Sequence, residues 1–259
     1  MFCSIIGYPL KKPRSPIIWN KFFKKNKIKS KMLALEINKK NFNREIKKIF
    51  SNKFFLASAI TMPYKIEINK YANYLDQSSK LSKSTNLIIK KKNKFYAYNT
   101  DIYGFLNSVK RYLKIKDIII FGLGGSGSAI YNYLSKKFNY KSFLIITKKI
   151  KKNKLNTKYL KKIKLNNIDI RKKYLIINCT PLGSNLKKEF ENKSILNDDF
   201  LKKINKSSIV YDLVYKPKKT KLFYQCMKNK IKYINGIEMN TFQANKAIEI
   251  TLNLTKFRI

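Results

Sequence analysis

Residues 117–127 of this chain have the sequence DIIIFGLGGSG, in which a largely apolar run leads directly into a cluster of glycines. The run 117–121 has the composition of a buried β-strand, and residues 127–137 have the pattern of a helix. Between them, the glycines have the spacing Gly-x-Gly-x-x-Gly, which in this context is typical of a dinucleotide-binding loop. Four of the eight glycines in the chain lie in this one segment. The stretch therefore predicts a Rossmann domain that binds a dinucleotide.

Each residue of the glycine loop has an expected physical role. Gly122 permits the tight turn, Gly124 lets the backbone approach a pyrophosphate, and Gly127 allows close packing of the helix on the strand. The free N–H groups and the positive dipole end at the start of the helix favour phosphate. We expect Gly125 and Ser126 to line the same site.

The end of the next strand bears on the choice of cofactor. An acidic residue about 20 residues beyond the loop would bind the ribose hydroxyls of NAD. This chain has Thr147, Lys148 and Lys149 at that point instead. A lysine beside a 2′-phosphate favours NADP, so we predict NADP as the cofactor. NAD stays an alternative, because lysine is frequent throughout this chain.

Strand-like and helix-like segments alternate on both sides of the glycine loop. Before the loop, strands are predicted at 2–7, 31–37, 57–62, 85–89 and 94–98, and helices at 17–25, 42–50, 64–75 and 101–113. After the helix at 127–137, strands are predicted at 143–147, 175–179, 209–213 and 232–234, and a final helix at 239–254. Such alternation predicts βαβ units and mostly parallel sheets. The chain is therefore expected to be an α/β protein of two domains, with a boundary near residue 101.

Composition narrows the class of protein. Hydrophobic residues make up 44% of the 259 residues, as in globular proteins with one large or two modest domains. No apolar run reaches the roughly 18 residues of a membrane span, and residues 1–7 do not resemble a signal peptide. Cys3, Cys179 and Cys226 form no CxxC pair, which favours a reducing compartment such as the cytoplasm.

Histidine is absent from the chain, which limits the chemistry available. This excludes His-containing metal sites, and we expect no metal ion. Proton transfer beside a hydride step must then be performed by Lys, Tyr, Cys or a carboxyl group.

The formal net charge of +44 would ordinarily indicate a nucleic-acid or anionic partner. Only five of the 58 basic residues are arginines, and the lysines are spread along the chain among many Ile, Asn, Phe and Tyr residues. That usage is typical of AT-rich codons, whereas nucleic-acid-binding proteins favour arginine for bidentate contacts. We therefore expect neither a specific nucleic-acid partner nor a membrane partner.

The remaining scarce residues form an ordered series of short motifs. Every proline except Pro13, and all eight glycines, lie on it. The series consists of GYP at 7–9, RSP at 14–16, ITMPYK at 60–65, Asn86, NTDIYG at 99–104, the glycine loop, NCTPLG at 178–183, DLVYKP at 212–217, and GIEM at 236–239 followed by Gln243. From end to end, this series resembles the quinate/shikimate dehydrogenase family.

The resemblance implies a two-domain enzyme that reduces 3-dehydroshikimate to shikimate with NADPH, reversibly, on the route to chorismate and the aromatic amino acids. Residues 1–101 with 238–259 would form the substrate domain, which has a mostly parallel sheet and is completed by the C-terminal helix. Residues 102–237 would form the Rossmann domain, and catalysis would take place in the cleft between the two.

The resemblance also implies residue roles. Lys65 would be the acid–base residue, and Asp101 would orient it and hold a substrate hydroxyl. An ammonium beside a carboxylate suits a ketone that gains negative charge, since the developing alkoxide needs a nearby proton donor. The other implied substrate-binding residues are Ser15, Thr61, Asn86, Tyr215 and Gln243, and the further implied cofactor-binding residues are Thr180, Leu213, Gly236 and Met239.

The chain departs from the family pattern at several positions. Pro13 stands where the family usually has a second hydroxyl that grips the substrate carboxylate. Other departures are Lys12, Trp19, Ala59, Leu87 and Glu238. Pro13 is the main reason to keep open a relative that acts on quinate, with NAD as a possible cofactor, or on another small hydroxy acid. The net charge keeps open a non-enzymatic polyanion-binding protein on a Rossmann scaffold. We expect a monomer or a homodimer, and the sequence does not separate the two.

Overall fold

A computed structural model of the chain describes residues 1–10, 12–138, 142–147 and 160–255, which fall into two units. The first unit is Met1–Gly104 with Thr241–Ile259, and the second is Phe105–Asn240. The motif series placed the domain boundaries at 101/102 and 237/238, a few residues before these divisions. In both places the chain passes from one unit to the other within a helix, which explains why no linker composition marks the boundary.

The first unit contains a six-stranded sheet with the order β2-β1-β3-β5-β6-β4. Its elements are β1 Phe2–Gly7, α1 Arg14–Lys25, β2 Lys31–Glu36, α2 Phe42–Ser51, β3 Phe55–Ile60, β4 Tyr74–Leu75, α3 Gln77–Ser82, β5 Leu87–Lys91, β6 Lys94–Tyr98 and the start of α4, Thr100–Val109. The pairs β1–β2, β1–β3 and β4–β6 are parallel, whereas β5 is antiparallel to β3 and β6. The β5–β6 hairpin turns at Lys92 and Asn93, both with positive φ, as a two-residue hairpin turn of type I′ requires.

Both faces of this sheet are buried, because successive side chains on a strand point to opposite faces. On β1, Ile5 packs with Trp19 of α1, whereas Ile6 packs with Phe42 of α2. The last helix, α8 (Ile237–Thr255), contributes Ala247 to the Trp19 cluster, so the C-terminal helix completes the first unit as expected. Within the described part of the chain, neither α8 nor a shorter helix has the length and hydrophobicity to cross a bilayer.

The second unit contains a six-stranded sheet in which every pair is parallel. Its elements are β7 Asp117–Phe121, α5 Gly125–Lys137, β8 Ser142–Ile146, β9 Leu160–Lys162, β10 Tyr174–Asn178, α6 Asp198–Lys203, β11 Ile209–Asp212, α7 Lys221–Lys228 and β12 Lys232–Asn235. The strand order β9-β8-β7-β10-β11-β12 is that of a doubly wound dinucleotide-binding sheet, with the reversal of strand order between β7 and β10. The predicted α/β class and Rossmann domain are therefore confirmed.

The helix predicted at 64–75 is wrong. The chain there forms a 3₁₀ turn at Glu67–Tyr71 and then the short strand β4. Asn73 exchanges hydrogen bonds with Phe95, and Tyr74 stacks on Tyr96 with ring centroids 4.9 Å apart. These pairings with β6 override the local helical pattern.

Other elements also differ from the prediction. α4 ends at Val109 and is followed by a 3₁₀ turn at Lys110–Tyr112, instead of continuing as one helix to residue 113. The elements α3, β9, α6 and α7 were not predicted, because each is short and rich in lysine, asparagine or serine, which obscures its hydrophobic period.

Candidate active site

Lys65 follows β3 in a segment that is anchored on both sides. The preceding Tyr64 is fully buried, stacks on Phe42 with ring centroids 3.9 Å apart, and donates its hydroxyl to the carbonyl of Ile37 at 2.5 Å. The carbonyl of Lys65 itself accepts the N–H of Thr85 at 2.7 Å. The backbone at Lys65 is therefore fixed, and only its side chain is left to adjust.

Asp101 lies in the first turn of α4 and does not serve as its cap. The amide oxygen of the buried Asn99 accepts the N–H of Ile102 at 3.4 Å, and its amide nitrogen donates to the carbonyl of Ser84 at 2.8 Å. Asn99 thus secures the start of the helix. The carboxylate of Asp101 is left to bind other groups.

The Lys65 Nζ lies 2.5 Å from Oδ2 of Asp101, and each side chain is 17% exposed. The other carboxylate oxygen, Oδ1, accepts the amide nitrogen of Asn86 at 3.0 Å. Both oxygens of Asp101 are therefore engaged by side chains of the first unit. An ammonium has three donors, so the ion pair leaves Lys65 with N–H groups for a ligand.

Asn86 joins this pair to the C-terminal helix. Its backbone bonds to both neighbouring strands, through Tyr98 on β6 and Ile60 on β3. Its amide nitrogen lies 3.2 Å from Oε1 of Gln243 on α8, and its amide oxygen accepts the N–H of Thr100 at 2.7 Å. The predicted residues Lys65, Asp101, Asn86 and Gln243 are therefore in one hydrogen-bonded cluster, although they are distant in sequence.

Thr100 is a member of this cluster that the sequence interpretation did not single out. Its hydroxyl lies 3.0 Å from the amide nitrogen of Asn86 and 3.3 Å from Oε1 of Gln243. The signal for it is its position in the NTDIYG motif, between Asn99 and Asp101.

Three further residues were predicted to bind substrate: Ser15, Thr61 and Tyr215. Ser15 is half-buried in the first turn of α1. Thr61 follows β3, and its methyl group occupies the space in which Gly7 would carry a Cβ. None of the described hydrogen bonds connects Ser15 or Thr61 to the Asp101 cluster. Tyr215 belongs to the second unit, three residues after β11.

The glycine loop has the local geometry of an anion site. Gly122 has φ +83°, a conformation that favours glycine, and a Cβ on Gly127 would overlap the carbonyl oxygen of Gly122. By contrast, a Cβ on Gly124 or Gly125 would meet no protein atom within 4 Å, and both residues are exposed. Helix geometry leaves the N–H groups of Gly125, Ser126 and Gly127 without an intrahelical acceptor. Two of the glycines are thus explained by the fold, and the other two suit the approach of a ligand.

Thr180 lies beside this loop, after β10. Its methyl carbon would be 2.8 Å from a Cβ on Gly122, so the two segments touch. The side-chain oxygen of Asn178 accepts both the N–H and the hydroxyl of Thr180, at 2.9 and 2.7 Å. The amide nitrogen of Asn178 donates to Oδ1 of Asp212 at 2.9 Å. A buried carboxylate is therefore linked to the segment next to the glycine loop.

The other predicted cofactor residues are also in the second unit. A Cβ on Gly236 would overlap the carbonyl oxygen of Leu213, so the ends of β11 and β12 approach closely there. Met239 is buried in the first turn of α8, and Thr147 is half-buried directly after β8. Lys148 and Lys149 lie outside the described residues.

Comparison with known proteins gives two results at the level of sequence. Residues 5–88 match a family model described as the shikimate dehydrogenase substrate binding domain. The chain is 34% identical over 253 residues to the shikimate dehydrogenase (NADP(+)) of Clostridium botulinum strain Hall, covering 95% of this chain and 94% of the relative.

Solved structures give the same result for the fold. The crystal structure of shikimate dehydrogenase from Aquifex aeolicus matches with a TM-score of 0.81 at 26% identity, covering 98% of this chain and 92% of that one. A shikimate dehydrogenase crystallised in complex with NADP+ matches with a TM-score of 0.82 at 26% identity, covering 98% of this chain and 90% of that one.

Proposed function

The chain belongs to the shikimate dehydrogenase family, and from this premise we propose that it catalyses the reversible, NADPH-dependent reduction of 3-dehydroshikimate to shikimate. The observation that carries the proposal is the ion pair between Lys65 and Asp101, which is held by Asn86. A fixed ammonium–carboxylate pair with spare N–H donors is what a ketone reduction needs, because the oxygen gains negative charge as hydride arrives.

The proposed substrate is a small ring that carries hydroxyl groups and a carboxylate. Asn86, Asp101 and Gln243 present amide and carboxylate groups in one cluster, which suits hydrogen bonding to ring hydroxyls. We assign Ser15 and Thr61 to the same substrate, and Tyr215 as well, on the motif series alone.

The proposed cofactor is NADP, which supplies or accepts the hydride when bound. The glycine loop fits such a cofactor, because Gly124 and Gly125 leave open space beside N–H groups that have no acceptor within their own helix. The proposed set of cofactor-binding residues is completed by Gly122, Ser126, Gly127, Thr147, Lys148, Lys149, Thr180, Leu213, Gly236 and Met239. The structure in complex with NADP+ supports the choice of cofactor by similarity.

Lys65 is the proposed acid–base residue. In the direction of reduction, hydride adds to the ketone carbon and the Lys65 ammonium gives a proton to the oxygen, which leaves a neutral hydroxyl group. In the reverse direction, the Lys65 amine takes that proton. Asp101 holds Nζ in place at 2.5 Å, and Asn86 fixes the carboxylate through its other oxygen. Such prepositioning lowers the barrier because no group must reorganise as charge develops.

The proposal is tested by a spectrophotometric assay of the purified chain with shikimate and quinate, each with NADP+ and with NAD+. We expect kcat/KM for shikimate with NADP+ to exceed that for quinate with NAD+ by a wide margin. A preference for quinate with NAD+ would favour the alternative that Pro13 keeps open, in which a missing hydroxyl at the carboxylate changes specificity.

The setting of the enzyme is part of the same proposal. We place it in the cytoplasm, which is supported by its three free cysteines. We propose small molecules as its ligands, neither nucleic acid nor a membrane as a specific partner, and a monomer or a homodimer as its state.

A further inference from the structure

Asp212, the last residue of β11, carries a carboxylate that is 0% exposed. Its two oxygens have different partners. Oδ1 accepts the amide nitrogen of Asn178 at 2.9 Å and the N–H of Val214 at 3.0 Å. Oδ2 accepts the hydroxyls of Tyr233 at 2.9 Å and Thr220 at 3.3 Å. A buried carboxylate is costly unless its lone pairs are used in this way, so the arrangement is a specific polar centre in an apolar sheet.

The hydrogen bonds of the Oδ1 side lead toward the glycine loop. Asn178 donates to Asp212 with its amide nitrogen and accepts from Thr180 with its amide oxygen, so one side chain bridges the two. The hydroxyl of Thr180 in turn accepts the N–H of Leu182 at 3.2 Å, and its methyl group lies against Gly122. The Oδ2 partners lie on β12 and at the start of α7, where Thr220 packs against Gly183, but no described hydrogen bond joins them to Thr180.

We propose that Asp212 and Asn178 are positioning residues, which hold the segment at Thr180 against the glycine loop and so preorganise the cofactor site. The inference rests on the proposed function only in that the ligand of the glycine loop is a nicotinamide dinucleotide. Asn178 has two possible orientations at its amide. The Asp212 carboxylate selects the one that presents its oxygen to Thr180, because a carboxylate accepts hydrogen bonds and does not donate them. The polar chain thereby fixes a loop that would otherwise have to order on binding.

The same hydrogen bonds could serve only to stabilise the fold. Two variants distinguish that structural role from the proposed positioning role. Asn178→Leu keeps the approximate volume and removes the bridge from Asp212 to Thr180. Tyr233→Phe is the matched control, since it removes one hydrogen bond to the same carboxylate but on the Oδ2 side. If the centre only stabilises the fold, both variants should lower the melting temperature and neither should selectively affect the cofactor.

The experiment is a fluorescence titration of each full-length variant with NADPH, together with steady-state kinetics. Asn178→Leu should raise the Kd for NADPH about tenfold. This factor corresponds to the net free energy of about one hydrogen bond, which binding would then have to supply to order the Thr180 segment. Its kcat at saturating cofactor should stay close to wild type. Tyr233→Phe should change the Kd by less than about twofold, in spite of a comparable drop in melting temperature. Equal effects of the two variants on Kd, or an unchanged Kd in Asn178→Leu, would overturn the proposal.

Three further outcomes are informative. If Asn178→Leu does not fold, Asn178→Ala removes the same bridge without adding a charge, and the same comparison with Tyr233→Phe decides. Wild-type protein that binds NADPH but does not oxidise shikimate would refute the proposed function while the variant comparison still tests the positioning role. Wild-type protein that binds neither NADPH nor NADH would refute both.

Discussion

At the scale of single residues, the environment of Lys65 separates it from the other lysines of the chain. Among the ion pairs of the described residues, only Lys65–Asp101 has both side chains less than a fifth exposed. Exposed pairs contribute little to stability, because water and salt screen them. The Lys65–Asp101 pair is also part of a hydrogen-bonded cluster, which is the arrangement expected of an acid–base group and its orienting partner.

Lys65→Ala should lower kcat by roughly 10²–10⁴, the usual contribution of a positioned acid–base group. KM for shikimate should change less, because the proton is needed chiefly as the alkoxide forms. Steady-state kinetics on protein shown to be folded by circular dichroism measures this. Lys53→Ala, at an exposed lysine that follows α2, is the matched control and should be nearly silent. Near-normal turnover by Lys65→Ala would contradict the assignment and make Tyr215 the next candidate.

Asp101→Asn extends the same prediction to the pair. It preserves shape but removes the charge that holds Nζ, so kcat should fall. In the double variant with Lys65→Ala, the two losses should not add, because the residues act as one unit. Additive losses would indicate separate roles.

Asp212 should give the second unit a characteristic pH dependence. Burial raises the pKa of Asp212 from 3.8 to about 6, so the folded state binds its proton more tightly than the unfolded state. The stability that this proton contributes is present below about pH 4 and is lost as the pH rises through about 6. The free energy of unfolding of wild type relative to Asp212→Asn should therefore fall by roughly 2–3 kcal/mol between pH 4 and pH 7. Urea unfolding at several pH values measures the difference, and a difference independent of pH would contradict it.

At the scale of elements, Gly236 and Gly125 both lie near the ends of parallel strands, but they have different surroundings. Gly236 meets the carbonyl of Leu213 where β11 and β12 end, whereas the start of α5 leaves Gly125 in open space. The first glycine is explained by packing, and the second has no explanation within the protein. The phosphate of the proposed cofactor would supply one, since only glycine lets the backbone approach so closely.

Two alanine substitutions should separate these roles. Gly236→Ala should lower the free energy of unfolding by roughly 1–3 kcal/mol, because the methyl group overlaps backbone atoms that cannot move cheaply. Gly125→Ala should leave stability unchanged or slightly raise it, since alanine favours a helix, but it should weaken NADPH binding. Chemical denaturation and NADPH titration of both variants measure the two effects. Full cofactor affinity in Gly125→Ala would argue against phosphate contact at that residue.

The elements also show how far sequence interpretation reaches in this chain. The strands β1, β7 and β10 and the hairpin β5–β6 were predicted well, because their apolar runs are bounded by glycine, proline or asparagine. β4 was missed, since a two-residue strand has no period of its own and depends on β6. The lysine-rich helices α6 and α7 were missed because lysine occurs equally in loops here, and only packing distinguishes them.

At the scale of the whole molecule, the cluster around Asp101 depends on long-range folding. Asn86 and Gln243 are 157 residues apart and yet share a hydrogen bond. The resemblance to the family, which the ordered series of motifs carries, implied that Lys65, Asp101, Asn86 and Gln243 belong to one site. Their distances, and the part played by Thr100, could not be predicted, because they follow from how α4 and α8 meet β5. The linkage of Asp212 to Thr180 is of the same kind.

The net charge of +44 acts over the whole molecule and gives the last prediction. Lysines supply nearly all of this charge and are dispersed along the chain, so the positive potential is not concentrated at one site. Lysine also lacks the bidentate donors with which arginine recognises bases. Binding to duplex DNA should therefore be weak, equal for unrelated sequences, and steeply dependent on salt. If six to ten phosphates are contacted, affinity should fall by roughly 10³–10⁵ between 50 and 200 mM salt. Fluorescence anisotropy with two unrelated duplexes at both salt concentrations measures this. Tight binding of one sequence that survives physiological salt would show that the charge serves recognition and revive the polyanion-binding alternative.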